Sequence, residues 1–310
     1  MLAATRLTYR INRFEVWSIT VMTVLSVIVS TAVVAWLAQS GYANCRGDEF
    51  GNMDAHCLSL AAIGDWVIRI DRASLSLVLL FPFIAGLLLG APLVAREIDR
   101  GTARLAWSLS PSRLRWYVHR VTPILVVLGV AALAIGVVAD RLTGALMPAE
   151  DLANSFVGFH GRGVLIATGA LLVGSTAVAL GAGVGRPMQT ILLALVLGGL
   201  LQVAVSEVDR KVFLQNETVV DATGNYSDSN IYLDSRFVLP DGSLATWDEL
   251  IAYDPSILTA EMGPTYPNVS LIIPGSRYRS VEAREALAEL AIAAVMLVAG
   301  GVIVMRRRPG

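Results

Sequence analysis

Residues 96–120 read REIDRGTARLAWSLSPSRLRWYVHR and lie between two apolar stretches. Glu97 stands among arginines, spaced to pair with Arg100 or Arg104 along a helix. Gly101 breaks a helix, and Thr102 can cap a new short one over 103–109, whose first N–H groups need an acceptor. Ser110 can cap the next helix, with Pro111 at its first position. Leu105 and Leu109 fall at i and i+4 and give the short helix one apolar face. The expected form is helix, short helix, helix, with the short one pinned at both ends. Such an element suits the transfer of force. An ordinary basic loop that only holds orientation would carry the same charges.

Other chemistries lack their residues. A phosphate-binding loop needs a glycine-rich turn ending in Gly-Lys-Ser/Thr. The one lysine, Lys211, sits in Val-Asp-Arg-Lys-Val without glycines. Neither His-Glu-x-x-His nor Gly-x-Ser-x-Gly occurs. No acid falls in the middle of an apolar stretch, so a proton relay has no evident carrier. A metal site is not expected: His56 adjoins Cys57, but no further cysteine stands near, and His119 falls on the other side of the membrane.

The elements that must hold residues 96–120 are membrane helices. The chain has 310 residues, 55% hydrophobic and 16% charged, with mean hydropathy +0.63. Soluble domains carry about a quarter charged residues. A span needs roughly 20 mostly apolar residues. Six stretches qualify: 16–38, 74–95, 121–139, 163–181, 188–206 and 286–305. Gly86 and Gly90 give the second a small-xxx-small spacing that lets helices approach. Thr23, Ser26, Gln189 and Gln202 are polar groups within spans that can hydrogen-bond between helices. With Phe81 and Phe83 they could also line a largely apolar substrate cavity.

Charge sets the orientation. With both termini inside, the inner segments hold 13 of the 24 Lys and Arg, including Arg6, Arg10, Arg13, Arg186 and Arg306 to Arg308. Only Glu15, Glu97 and Asp99 oppose them. Short loops rich in arginine stay inside. These bases face anionic lipid heads and carry no nucleic-acid signal. Residues 1–15 read as an interfacial helix, with Leu7, Ile11 and Phe14 on one side. Cys45 and Cys57 share the first outer loop, where an oxidising exterior permits a disulfide; two free thiols are the alternative. Turn signals at Pro240-Asp-Gly, Asp254-Pro and Pro274-Gly, with Ile231, Leu233, Phe237 and Leu239 in alternation, predict a small folded extracellular domain over 207–285. The expected architecture is an all-α integral membrane protein. Residues 1–206 hold five spans and the loop 96–120, 207–285 the outer domain, and 286–310 the sixth span with a basic tail.

The run Glu97, Gly101-Thr102, Leu105, Ser110-Pro111-Ser112-Arg113 resembles the type-2 export permeases of ABC transporters, the ABC-2-like family. These carry an acid, a Gly-Thr pair, an apolar helix and a Ser/Pro-x-Ser-Arg turn after the second span. The resemblance implies a permease subunit in a plasma membrane that moves an amphipathic drug, peptide antibiotic or lipid outward, and basic residues that are almost all arginine point to a GC-rich, bacterial source. It implies no nucleotide site in this chain, with ATP and Mg held by two copies of a partner ATPase. A second permease copy, or a related permease, completes the assembly. Glu97, Gly101, Thr102, Leu105, Leu109 and Arg113 then form the coupling element. The alternative is a membrane anchor or sensor whose outer domain binds a ligand or partner.

Overall fold

The computed structural model describes residues 9–41, 78–147, 150–213, 219–221, 229–255, 257 and 266–307. Cys45, Cys57 and the first eight residues of the expected interfacial helix lie outside this set. The chain divides into two compact units. The first comprises Met1–Ala149, Gly158–Ser206 and Glu282–Gly310; the second comprises Glu150–Val157 and Glu207–Val281.

The first unit is helical. Its elements are α1 (Arg13–Gln39), α2 (Val78–Asp99), α3 (Thr102–Leu109), α4 (Arg113–Leu146), α5 (Leu165–Val184) and α6 (Pro187–Val208). The chain's last helix, α8 (Tyr278–Arg306), belongs to it from Glu282 onward. All but α3 are long and apolar enough to cross a membrane, giving the six expected spans. Hydroxyls inside α1 are spent on its own backbone, with Thr20, Thr23, Ser26 and Thr31 each donating to the carbonyl four residues earlier.

Burial ranks the spans. The apolar window of α5 is 89% buried and that of α1 only 11%. Helix α5 is therefore the centre of the bundle, and α1 gives Phe14, Trp17, Leu25 and Ile28 to the surroundings. In a bilayer such a face meets lipid tails as apolar as itself. Packing inside then depends on close fit between helices. Gly86 and Gly90 supply it. A Cβ on Gly86 would come within 2.9 Å of the Gly174 backbone nitrogen on α5, and one on Gly90 would come closer still to the Gly174 carbonyl.

Two span boundaries differ from expectation. Helix α4 begins at Arg113, eight residues before the expected span, and buries Arg120. Helix α8 begins at Tyr278 and buries Glu282, Glu285 and Glu289 along one side. Partners on other helices let these charges go inside, and hydropathy counts each residue alone.

The second unit carries the strands that the all-α expectation left to a minor outer domain. They are β1 (Val219–Asp221), β2 (Ile231–Val238), β3 (Leu244–Ala245) and β4 (Asn268–Ile273). They form one antiparallel sheet in the order β1-β4-β2-β3, with a bulge between Tyr232 and Asp234. The Pro240-Asp-Gly turn joins β2 to β3, and Asp241 accepts hydrogen bonds from the Ser243 amide and hydroxyl. Helix α7 (Trp247–Tyr253) is held by a capping box between Thr246 and Glu249 and buries Leu250. The second unit is not confined to the stretch 207–285. Residues 150–157 also join this unit: Phe156 donates its amide to Ser229, and a Cβ on Gly275 would strike the Asn154 carbonyl.

Candidate functional site

The site is the segment from the end of α2 to the first turns of α4. Helix α2 closes on Gly101, which takes φ +71°, a left-handed conformation that suits glycine. The Gly101 amide donates to Ile98, and the Thr102 hydroxyl donates back to the Glu97 carbonyl at 3.2 Å. Thr102 therefore seals the helix behind it. It does not cap α3, which begins at Thr102 with Gly101 as its N-terminal neighbour. The cap of α4 also differs from expectation. Ser112 accepts from the Arg115 amide at 3.1 Å, while Ser110 spends its hydroxyl on the Ser112 carbonyl and Pro111 stays in the extended link. Ser-Pro-Ser offers two caps, both on extended backbone, and the start of α4 at Arg113 puts Ser112 in register to cap it.

Helix α3 is thus a separate eight-residue rod. Its Ala103 is buried, and its Trp107 meets Trp116 of α4 edge-on at 6.1 Å. The Arg113 guanidinium lies 4.9 Å from the Trp107 ring centre. Leu105 is 65% exposed and lines the open cleft beside α3. Leu109 ends the helix, with its side chain outside the described set.

Arginines tie this rod to the other helices. Arg113 donates to the carbonyls of Met305 and Arg307 at 3.3 and 2.7 Å, at the C-terminus of α8. Arg307 in turn donates to Ala182 and Gly183, at the C-terminus of α5. Both cations close orphan carbonyls where the helix dipole is negative. Glu97 pairs with Arg120 of α4, across the turn, and not with Arg100. Glu15 of α1 pairs with Arg96 of α2 at 2.8 Å. The ends of α1, α2, α4, α5 and α8 are therefore linked at one arginine-rich end.

The six residues expected around a cavity fall in separate places. Thr23 and Ser26 bond within α1. Phe81 is buried in the main core, and Phe83 packs beside Leu87, Ala91 and Val173. Gln189 is exposed near the start of α6 and Gln202 lies near its end.

Gln202 belongs to a polar cluster that sequence reading missed. A Cβ on Gly169 would stand 2.9 Å from Gln202 Nε2 and 3.7 Å from Glu289 Oε1. Glu289 accepts from the Thr168 hydroxyl, and Glu285 lies 3.2 Å from His160 Nε2. The hydrogen bond to Glu285 raises the His160 imidazole above its ordinary value, against the opposing effect of burial. The signal was the i, i+4 pair Glu285 and Glu289 at the edge of an apolar run. Among the described residues no group of three or more His, Cys, Asp or Glu could hold a metal ion.

No curated protein and no solved structure matches this chain. The profile of the family described as ABC-2 membrane transporter related matches residues 16–210, a stretch that includes α2, α3, α4 and α5. The chain belongs to that family of multi-pass membrane proteins.

Proposed function

We propose that this chain is the membrane permease subunit of an ATP-driven exporter, and that α3 is the element a separate ATPase pushes. The observation that carries this reading is Leu105. A leucine is left 65% exposed on a rod whose other contacts are fixed by Trp107 and Arg113. ATP and Mg belong to two copies of the partner, and a second permease copy or a relative completes the assembly. Movement of α3 would pass through Arg113 to the end of α8 and through Arg307 to the end of α5. The arginine-rich end is cytoplasmic by the charge rule, which puts both termini on the inner side of a plasma membrane, and the arginine bias favours a bacterial one. The cargo is amphipathic and leaves the cell. Phe81, Phe83, Thr23, Ser26, Gln189 and Gln202 remain candidates to line its path, and Cys45 with Cys57 to form an outer disulfide.

Leu105→Asp tests the coupling. Burying a leucine is worth about 1.5–3 kcal/mol, so association weaker by roughly ten- to a hundredfold is expected. The variant should reach the membrane at normal levels, yet lose co-purification of the ATPase and its stimulated turnover. Normal export by the variant would refute the reading. The second reading, an anchor or sensor, draws on the four-stranded sheet of the second unit, a small domain able to bind a partner. A native chain that reaches the membrane yet neither exports nor co-purifies any ATPase, with Leu105→Asp indistinguishable from it, would favour the second reading.

A further inference from the structure

We propose that a cleft at the arginine-rich end binds a phosphate-bearing anion, and that the headgroup of a membrane lipid supplies it. This goes beyond the permease reading and does not rest on it. The cleft encloses about 790 Å³ between the start of α1, the end of α2, α3 and the first turns of α4. Four arginines line it, Arg96, Arg100, Arg115 and Arg120, with Glu97 as the one acid among its lining residues.

The charge is not used up internally. Glu97 is taken by Arg120, and Arg96 by Glu15. Arg100 and Arg115 line the cleft without a salt bridge among the described residues. Arg120 has a side chain only 7% exposed, yet its Nε–H meets no acceptor among the described residues. A buried guanidinium donor without an acceptor is costly, and a phosphate oxygen is a matched acceptor for it. Arg100 and Arg115 line the same cleft and supply two further cations for an anion.

Position argues for lipid as the source. Ile11, Pro92, Leu105 and Trp116 give the cleft an apolar side next to its basic one, which suits an amphiphile. Phe14 and Trp17, 77% and 68% exposed, stand one and two turns along α1 from Ile11. Exposed aromatic side chains at the charged end of a span mark the membrane interface. Basic pockets between spans at that level take anionic headgroups.

The test uses the purified full-length chain in phosphatidylcholine nanodiscs, with no ATPase present. Short-chain phosphatidylglycerol, short-chain phosphatidylcholine and inorganic pyrophosphate are titrated while the thermal midpoint is followed. Phosphatidylglycerol should raise the midpoint in the native chain and in Arg186→Gln, an exposed arginine outside the cleft. The double variant Arg100→Gln/Arg115→Gln should need at least tenfold more, and each single variant an intermediate amount. Equal responses in all variants, or to phosphatidylcholine, would overturn the site. A response to pyrophosphate alone would keep phosphate recognition and overturn the lipid source. An unchanged phosphatidylglycerol response in the double variant, together with loss of ATPase capture in a separate pull-down, would give the cleft to the partner protein instead.

Discussion

Arg113, the first residue of α4, donates a 2.7 Å hydrogen bond to the carbonyl of Arg307, just beyond the end of α8, across 194 positions of sequence. The same guanidinium stacks over Trp107 of α3, so one side chain joins three elements.

Arg113→Gln removes both attachments. Hydrogen bonds from a charged group contribute about 1.5–3 kcal/mol, and a loss in that range is expected in thermal unfolding followed by tryptophan fluorescence. Arg113→Lys should recover only part of it, because a point charge cannot bridge two carbonyls and stack at once. Full recovery by lysine would show that charge alone matters.

Gly101 separates strain from crowding. No atom lies within 4 Å of the position its Cβ would occupy. Gly101→Ala should therefore cost only the left-handed backbone penalty of about 1–2 kcal/mol. Gly101→Asn, which visits that region more readily, should cost less. Equal losses in the two unfolding curves would mean that the cost is steric.

The Glu97–Arg120 pair should be more costly to halve than to replace. Glu97→Gln leaves a nearly buried guanidinium without its counter-charge, a loss of about 3–5 kcal/mol in comparable sites. Glu97→Gln/Arg120→Met should be milder. The monodisperse fraction after purification reads the difference, and a double variant worse than the single one would contradict this.

The pH dependence follows from His160. Its folded-state value is raised above the ordinary 6.5, chiefly by the hydrogen bond to Glu285. The stabilisation is therefore fully present below 6.5 and is lost as pH rises through the higher folded value. The thermal midpoint of the native chain, minus that of His160→Gln, should fall across that window. A difference that stays flat or rises would reverse the assignment.

Much of this was legible in the sequence. The six spans were visible because run length suffices to find an apolar helix. Gly101 and the short rod after it were visible because a glycine and two hydroxyls punctuate the chain locally. The misplacements share one cause. Arg120, Glu285 and Glu289 look like residues that end a span, and their partners Glu97, His160 and Thr168 lie 23, 125 and 121 positions away. Composition along the chain cannot register a counter-charge on another helix. The choice of Ser112 over Ser110 was open for a smaller reason, since both serines can cap and the residue at which α4 starts decides.

The two-part make-up of the second unit imposes a schedule on biosynthesis. The turn at 151–154 leaves the ribosome long before Gly275, which sits against the Asn154 carbonyl. At about 5–20 residues per second, the gap is roughly 6–24 s. During that interval two further spans must be inserted while residues 150–157 wait for their sheet. Slowed translation between 158 and 275 should lengthen the time for which nascent chains are open to protease at that turn, without altering the finished protein.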